Sequence, residues 1–405
     1  MADTTKWVWA DATGDADGSS KANAYTTIQA AIDNGGFNGG TDQVAEGNQI
    51  IYIVEPAAGE YTITVGIQND LAGSRHGASD DYTMKFIGCD INGDPFTTRG
   101  DRVTIRLTED PSNGSDEVLE CYGANATNRA ADNTYFYNLD FNAGGYATQA
   151  FRADNGEINE SYGWAFVNCR FRNATTYNVY NGNQFAVGVF YDCDFDNDDN
   201  TSTNYLNRTG GQGELYYRCK FKANSSSTGY GAYVNDGVGT VFLQCAFDAN
   251  GESHACRVQS AKYGVVFDNC AFYNYTVSAV YSDGHKQFPH LINCTADAQD
   301  PTADYAWQKV ATAAHHPRLI LGCLSNITGS THRWIDHDKL LAPYIASGTE
   351  NEDGNGGGVL SATDSRWTDK GAAKRGVKDL SGVRSTRGPH NTKDVSGESR
   401  IRYNG

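Results

Sequence analysis

The chain has 405 residues, a formal net charge of −17 at pH 7 and 45 glycines. A strongly acidic balance disfavours binding to bare nucleic acid and to anionic membrane surfaces. No stretch of the sequence is long and apolar enough to span a bilayer. We therefore expect no nucleic-acid partner and no membrane insertion.

Residues 1–48 are predicted to form an N-terminal segment that closes one end of the fold. Ile28, Ala31 and Ile32 have the i, i+3, i+4 spacing of a short helix with one apolar face. Residues 1–6 contain neither the basic region nor the apolar run of a secretory signal peptide. We therefore expect the chain to fold inside the cell that makes it.

A short pattern recurs along the middle of the chain: a polar residue, then Cys, any residue and Phe. Successive cysteines are separated by 24, 26, 26 and 25 residues. A fixed period of this size predicts a solenoid, in which each repeat buries its apolar face against its neighbours. The five clear copies run from Cys169 to Phe171, Cys193 to Phe195, Cys219 to Phe221, Cys245 to Phe247 and Cys270 to Phe272.

The two-residue spacing of Cys and Phe predicts strands, because side chains two apart in a strand point to the same side. A coil of about 25 residues accommodates three short strands, and coils stack about 4.8 Å apart. The pattern resembles the right-handed parallel β-helix of pectate lyases, other polysaccharide-modifying enzymes and phage tailspikes, over roughly residues 20–330. We predict an all-β protein: a single-stranded right-handed parallel β-helix over 49–330, with an N-terminal capping helix and an irregular C-terminal cap.

Eight of the ten cysteines occupy the predicted ladder position, since Cys89, Cys294 and Cys323 extend the five copies. Stacked Cβ atoms about 4.8 Å apart exceed the reach of a disulfide, about 4.5 Å. We therefore predict reduced, buried thiols at these positions. Cys121 and Cys256 lie outside the ladder, and the sequence leaves open whether they are paired.

Residues 331–405 lose the period and are assigned to a C-terminal cap, a Gly-rich loop and a basic tail. Residues 366–402 hold ten Lys or Arg against four Asp or Glu. A basic tail on an acidic body favours binding to that body, to another copy of the chain or to an acidic partner protein. The caps and this tail are the predicted attachment points.

Asp194, Asp196 and Asp198 form an acidic turn whose oxygen atoms are candidate calcium ligands. Asp194 and Asp196 share one strand face, and no Glu follows at the spacing of a calcium loop. A solvated acidic turn explains the pattern equally simply. Apart from this calcium candidate, the sequence predicts no cofactor.

A second polar corner recurs in the coils, and stacking would align its members into a groove. Carboxylates, amides and aromatic rings of this kind bind sugars, although a plain polar exterior has the same composition. Asp236 and Asp283 lie two coils apart, roughly 10 Å, near the upper limit for an inverting glycosidase. The candidate catalytic residues are Asp236, Asp283 and His285. The candidate ligand-binding residues are Tyr180, Asn181, Arg208, Tyr233, Asp236, Tyr281 and Asp283.

Three functions fit these features. The resemblance to phage tailspikes, together with the absent signal and the basic tail, implies a homo-oligomeric virion surface protein: a capsid decoration, head spike or tailspike that contacts other virion proteins. The alternative is a polysaccharide lyase or glycoside hydrolase acting on an acidic or bacterial surface polysaccharide. A carbohydrate-binding or adhesion module would share the groove and lack turnover.

Overall fold

The structure is a computed structural model. It describes residues 4–34, 48–69, 83–110, 117–121, 133–153, 162–181, 187–196, 205–209, 213–223, 230–235, 239–259, 265–282, 289–299, 305–309, 320–321, 323–325, 391–393 and 399–401. Within these ranges one short helix lies between the first strand and a long series of further short strands. None of the described helices has the length and hydropathy needed to cross a bilayer.

The strands recur in groups of three along the chain. In chain order the elements are β1 Thr4–Val8, α1 Ile28–Asn34, β2 Gln49–Val54, β3 Glu60–Ile63, β4 Ile67–Asn69, β5 Met84–Cys89, β6 Val103–Leu107, β7 Glu117–Cys121, β8 Thr134–Tyr137, β9 Leu139–Asn142, β10 Gln149–Ala153, β11 Tyr162–Val167, β12 Arg170–Arg172, β13 Tyr177–Asn181, β14 Val187–Tyr191, β15 Asp194–Asp196, β16 Tyr205–Thr209, β17 Leu215–Tyr217, β18 Lys220–Lys222, β19 Tyr230–Asn235, β20 Val241–Leu243, β21 Ala246–Asp248, β22 His254–Gln259, β23 Val266–Asp268, β24 Ala271–Tyr275, β25 Ser278–Ser282, β26 His290–Ile292, β27 Thr295–Ala298, β28 Tyr305–Lys309, β29 Ile320–Leu321, β30 Leu324–Ser325, β31 Asn391–Lys393 and β32 Ser399–Ile401.

From β2 onward every third strand joins the same parallel sheet, so each of these coils contributes one strand to each of three sheets, and β1 pairs directly with β2 in the first sheet. The first sheet runs β1-β2-β5-β8-β11-β14-β17-β20-β23-β26-β29, the second from β3 to β30 and the third from β4 to β28. This is the predicted right-handed parallel β-helix, and the predicted fold class is confirmed. Outside the three sheets, β31 and β32 pair antiparallel.

Two columns of aromatic rings fill the cylinder. On the second sheet Phe195 stacks on Phe171 with ring centroids 5.3 Å apart, and Phe221 follows at 4.7 Å. On the first sheet Phe190 and Tyr216 stack at 4.6 Å. The register of the parallel strands places like residues above like, so each coil buries its rings against the next.

A cysteine ladder runs beside the rings. The Sγ of Cys193 donates to the carbonyl of Phe166 in the preceding coil, 3.4 Å away, and that of Cys219 donates to Phe190. All ten cysteines are free and buried, so the prediction of reduced thiols is confirmed. Cys121 and Cys256, whose state the sequence left open, are buried thiols outside any disulfide as well.

The ladder prediction needs one correction, at Cys89. That residue ends β5 and pairs with Val54 in the first sheet. In the second sheet the buried ladder position of this coil is filled by Val103, which pairs with Leu139 of the next coil. The physical reason is an inserted connection, residues 90–102, which leaves the coil after Cys89 and returns at Val103.

The residue before each ladder position forms a one-residue corner between the first and second sheets. Its backbone is left-handed, with φ between 51° and 58°, a conformation that costs little only for Gly, Asn and Asp. These corner residues are Asn138, Asn168, Asp192, Arg218, Gln244, Asn269 and Asn293.

At the N-terminal end, α1 packs its apolar face onto the first coils. The hydroxyl of Thr27 accepts a hydrogen bond from the Ala30 amide at 3.1 Å and so caps the helix. Ile28, Ala31 and Ile32 are buried in the core, which is the face that the sequence predicted.

The three sheets differ sharply in what they turn outward. On the second sheet, neighbouring rungs carry charges of opposite sign, as where Arg170 lies between Asp140 and Asp194. On the first sheet, the outward positions from β1 to β26 are apolar or aromatic, with four exceptions. We call this surface the first-sheet face; its outward residues are Thr5, Trp7, Ile50, Tyr52, Lys85, Ile87, Tyr135, Tyr137, Ala165, Val167, Val189, Tyr191, Leu215, Tyr217, Val241, Leu243, Val266, Asp268, His290 and Ile292.

Candidate functional site

The register of the third sheet, whose outer surface is here called the third-sheet face, aligns arginines and tyrosines in one column. Arg152, Tyr180, Arg208, Tyr233, Arg257 and Tyr281 occupy matching positions in β10, β13, β16, β19, β22 and β25. The sequence analysis named four of these six residues as ligand-binding candidates. The strand register therefore brings Tyr180, Arg208, Tyr233 and Tyr281 onto one line, as the predicted groove required.

A short local pattern produces this arrangement in β19, β22 and β25. The two middle residues of each four-residue stretch, such as Ala255 and Cys256, are buried in the core. Among the flanking residues, three apart, Tyr230, His254, Arg257 and Tyr281 are partly exposed, whereas Tyr233 and Ser278 are buried. In β19 the second position is Gly231, where a Cβ atom would lie 2.4 Å from the Ala255 carbonyl oxygen. Glycine at this position thus permits the close approach of two coils beneath the site.

Arg257 is held among three tyrosine rings. The guanidinium carbon lies 4.9 Å from the ring centroid of Tyr230, 5.2 Å from that of Tyr233 and 5.9 Å from that of Tyr281. Cation–π attraction of this kind fixes a guanidinium in position without neutralising its charge. We call Tyr230, Tyr233, His254, Arg257 and Tyr281 the Arg257 cluster.

His254 completes the cluster. Its ring stacks on Tyr281 with centroids 4.5 Å apart and on Tyr230 at 5.4 Å. Nδ1 lies 2.6 Å from the Ser278 hydroxyl oxygen. Burial, and secondly the positive charge of Arg257, lowers the pKa of His254 from 6.5 to about 4. The imidazole is therefore neutral at pH 7 and leaves Arg257 as the cation of the cluster.

This geometry suits recognition of an anionic group on a polyhydroxylated ligand. Arginine binds carboxylates through parallel N–H donors, and tyrosine hydroxyls add donors and acceptors. Because Tyr230, His254 and Tyr281 stack on one another, they present ring edges outward. The site thus offers hydrogen-bonding edges and a fixed positive charge, in place of the open ring faces that the sequence suggested for sugar stacking.

His254 and Arg257 were missed by the sequence analysis. The signal was present, because His254 and Arg257 repeat the three-residue spacing of Tyr230 and Tyr233 one coil earlier. The predicted groove consists of the polar corner after each strand, which does not include polar residues within β22.

The remaining predicted site residues divide into two groups. Asn181 in β13 pairs with Thr209 in β16, one residue beyond Arg208, so the register does not align Asn181 with Arg208. The three candidate catalytic residues, Asp236, Asp283 and His285, lie outside the described residues. Their catalytic role stays a prediction.

Two of the candidate calcium ligands are ion-paired. Asp194 Oδ2 lies 2.7 Å from Nη2 of Arg102, and Asp196 Oδ2 lies 2.7 Å from Nη2 of Arg170. Among the described residues no three His, Cys, Asp or Glu side chains come together as a metal site. Asp198 lies outside the described residues, and calcium binding at this turn stays a prediction.

Comparison with known proteins supports the fold. No protein-family model matches the chain, and no curated protein is significantly similar to it. The crystal structure of pectate lyase Pel9A superposes with a TM-score of 0.50 and 13% identity, covering 90% of each chain. An alginate lyase from Paenibacillus sp. str. FPU-7 gives 0.47 and 10%, covering 82% of this chain and 98% of that one. The A-module of the Azotobacter vinelandii mannuronan C-5 epimerase AlgE6 gives 0.46 and 13%, covering 76% and 83%.

The predicted resemblance to the parallel β-helix superfamily is confirmed at the level of the fold. At 13% identity the likeness to Pel9A carries the architecture alone. No phage tailspike is among these similar structures, so that part of the resemblance remains a proposal.

Proposed function

We propose that the protein binds an acidic polysaccharide along the third-sheet face, with Arg257 contacting a sugar carboxylate. The observation that carries this proposal is the Arg257 guanidinium lying within 6 Å of three tyrosine rings on one outer surface. The column continues over several coils, as an extended polymer requires. A similarly folded protein is named a pectate lyase, which makes acidic polysaccharides the first class to test.

Binding is favoured over turnover by the state of His254. A general base works best when its pKa lies near the operating pH. Burial lowers the pKa of His254 to about 4, so the imidazole is a weak base at neutral pH. Its stacked position between Tyr230 and Tyr281 instead suits a residue that shapes the surface around Arg257.

The test is binding to a panel of polygalacturonate, alginate and neutral dextran, measured by affinity electrophoresis. Arg257→Gln should weaken binding to the acidic polymers at least tenfold, since a charge-assisted hydrogen bond contributes about 1.5–3 kcal/mol. Arg257→Lys should restore only part of it, because a lysine lacks the paired donors. Lys220→Gln on the second sheet is the matched control and should bind like the wild type. Unchanged binding by Arg257→Gln would reject the proposal.

The alternative function, a polysaccharide lyase or glycoside hydrolase, is tested in the same samples. An eliminating lyase produces unsaturated products that absorb at about 235 nm, and a hydrolase produces new reducing ends. Asp236, Asp283 and His285 would then be the first residues to replace. Turnover that disappears in Asp236→Asn or Asp283→Asn would establish the enzyme; binding without products supports an adhesion module.

A second candidate is a virion surface role, with the basic tail 366–402 docking onto other virion proteins or other copies. Ten free, buried cysteines favour it, because such a chain needs no oxidising compartment to fold before assembly. Antibody labelling of purified phage particles tests the idea. Labelled particles that lose the protein when 366–402 is deleted would support it, and unlabelled particles would reject it.

A further inference from the structure

The first-sheet face is an outer surface made largely of apolar and aromatic side chains. Apart from Thr5, Lys85, Asp268 and His290, its outward side chains are apolar or aromatic over ten successive strands. Tyr191, near its centre, is 37% exposed. Contiguous apolar surface of this extent on a folded protein marks an interaction site.

The size of the face matches a protein–protein interface. Ten strands about 4.8 Å apart span roughly 45 Å, and two outward residues on each strand give a width of roughly 13 Å. Each copy would therefore contribute about 600 Å², and two copies about 1,200 Å², the lower end of the range for stable complexes. The columns are straight because parallel strands pair residue on residue, for example Val189 with Leu215 and Leu215 with Val241. A straight apolar face of this length is best covered by an equally long, straight face.

We propose that a second copy of this chain covers the first-sheet face, and that the two cylinders lie antiparallel about a two-fold axis along β14. β14 is the sixth of the eleven strands in the first sheet. Such an axis brings the third strand from one end, β5, against the third from the other end, β23. Lys85 on β5 of each copy then meets the strand that carries Asp268 in the other copy. Lys85 and Asp268 then lie in adjacent outward columns, about 7 Å apart along the strand, so the long lysine side chain reaches the carboxylate and two symmetric ion pairs form.

The rival occupant within the same chain is the basic tail, and its charge fits poorly. Residues 366–402 hold ten basic residues and four acidic ones. The first-sheet face presents one acid, Asp268, among its outward residues, together with the cation of Lys85. Docking the tail there would desolvate its charges without pairing them. A dimer formed by two copies of the same face leaves no such excess of unpaired basic charge.

The test is the mass of the full-length protein by size-exclusion chromatography with light scattering, in the micromolar range. The wild type should measure about 88 kDa, twice the chain mass of 43.9 kDa. Leu215→Glu, which places a charge in the centre of the face, should give the single-chain mass. Ala246→Glu on the second sheet is the matched control and should remain a dimer. A monomeric wild type, or a dimeric Leu215→Glu, would overturn the proposal.

A charge exchange tests the orientation and does not depend on the behaviour of the Leu215 variant. Lys85→Glu should raise the dimer dissociation constant about tenfold, since it sets like charges together. Adding Asp268→Lys should restore the wild-type constant, because the pairs reform with reversed sign. Circular dichroism of each variant confirms that the coils are intact. A double variant that dimerises no better than Lys85→Glu would overturn the antiparallel arrangement.

Discussion

Arg102 and Asp194 form an ion pair of 2.7 Å although they are 92 residues apart in the chain. Arg102 ends the connection 90–102 after β5, and Asp194 begins β15, three coils further along. The Arg102 side chain is 5% exposed and its Nε also donates to the Asn168 carbonyl at 2.8 Å. The pair thus fastens an inserted connection across the outside of several coils.

Removing this arginine should destabilise the protein more than removing an exposed one. We expect Arg102→Leu to lower the free energy of unfolding by about 2–3 kcal/mol, because it removes the hydrogen bond to the Asn168 carbonyl and leaves Asp194 with only the longer 3.7 Å ion pair to Arg99. Arg106→Leu is the control: its side chain is 46% exposed and lies 3.6 Å from Glu60, so we expect less than about 1 kcal/mol. Urea denaturation measures both. Equal losses would show that the pair does not fasten the connection.

Gln244 occupies a left-handed corner with φ of 54°, which glycine adopts without strain. We expect Gln244→Gly to raise the free energy of unfolding by up to about 1 kcal/mol and Gln244→Val to lower it by about 1–2 kcal/mol. Lys220→Gly, within β18, should be destabilising, because a strand residue gains nothing from left-handed freedom. Thermal unfolding of the three variants checks the order. A stabilised Lys220→Gly or a destabilised Gln244→Gly would contradict this account of the corner.

The low pKa of His254, about 4 in the folded protein against 6.5 in the unfolded chain, predicts a pH dependence of stability. The unfolded chain takes up a proton at His254 before the folded protein does, so this contribution is complete above pH 6.5 and is lost as the pH falls toward 4. Between pH 7 and pH 4, wild-type stability should fall by on the order of 2 kcal/mol more than that of His254→Gln. Urea denaturation at each pH measures the free energy of unfolding. The same pH dependence in the wild type and in His254→Gln would contradict the buried imidazole.

The cysteine thiols should not react with thiol reagents while the protein is folded. All ten cysteines are buried, so a reagent in solution does not reach their sulfur atoms, and burial raises the pKa of Cys89 and Cys256. A thiol reagent such as DTNB should therefore modify none in native buffer and all ten in strong denaturant. Rapid reaction of several thiols under native conditions would mean that the coils open readily.

The fold could be predicted from the sequence because every coil of a solenoid packs in the same way. The spacing from Cys193 to Phe195 recurs at Cys219 to Phe221, so period and strand type reinforce each other in every coil. The inserted connection 90–102 broke the pattern once, and there the assignment of Cys89 to the ladder was wrong. An insertion leaves the buried position filled by another apolar residue, Val103, that the cysteine pattern does not reveal.

The candidate functional site could be predicted only in part from the sequence. Tyr180, Tyr233 and Tyr281 were placed on one line because their spacing follows the coil period. His254 and Arg257 were missed because the prediction used the polar corner after each strand, although their three-residue spacing repeats that of Tyr230 and Tyr233 one coil earlier. The first-sheet face was also missed. Its apolar residues alternate with core residues, and the sequence alone does not show which of the three sheets faces a partner.

The most direct test of the central claim is a crystal structure of the protein soaked with an acidic oligosaccharide, such as a galacturonate or alginate tetramer. We predict sugar density along the third-sheet face, with a carboxylate about 2.8 Å from the Arg257 guanidinium. Sugar ordered only on another face, with Arg257 and its three tyrosines uncontacted, would contradict the account.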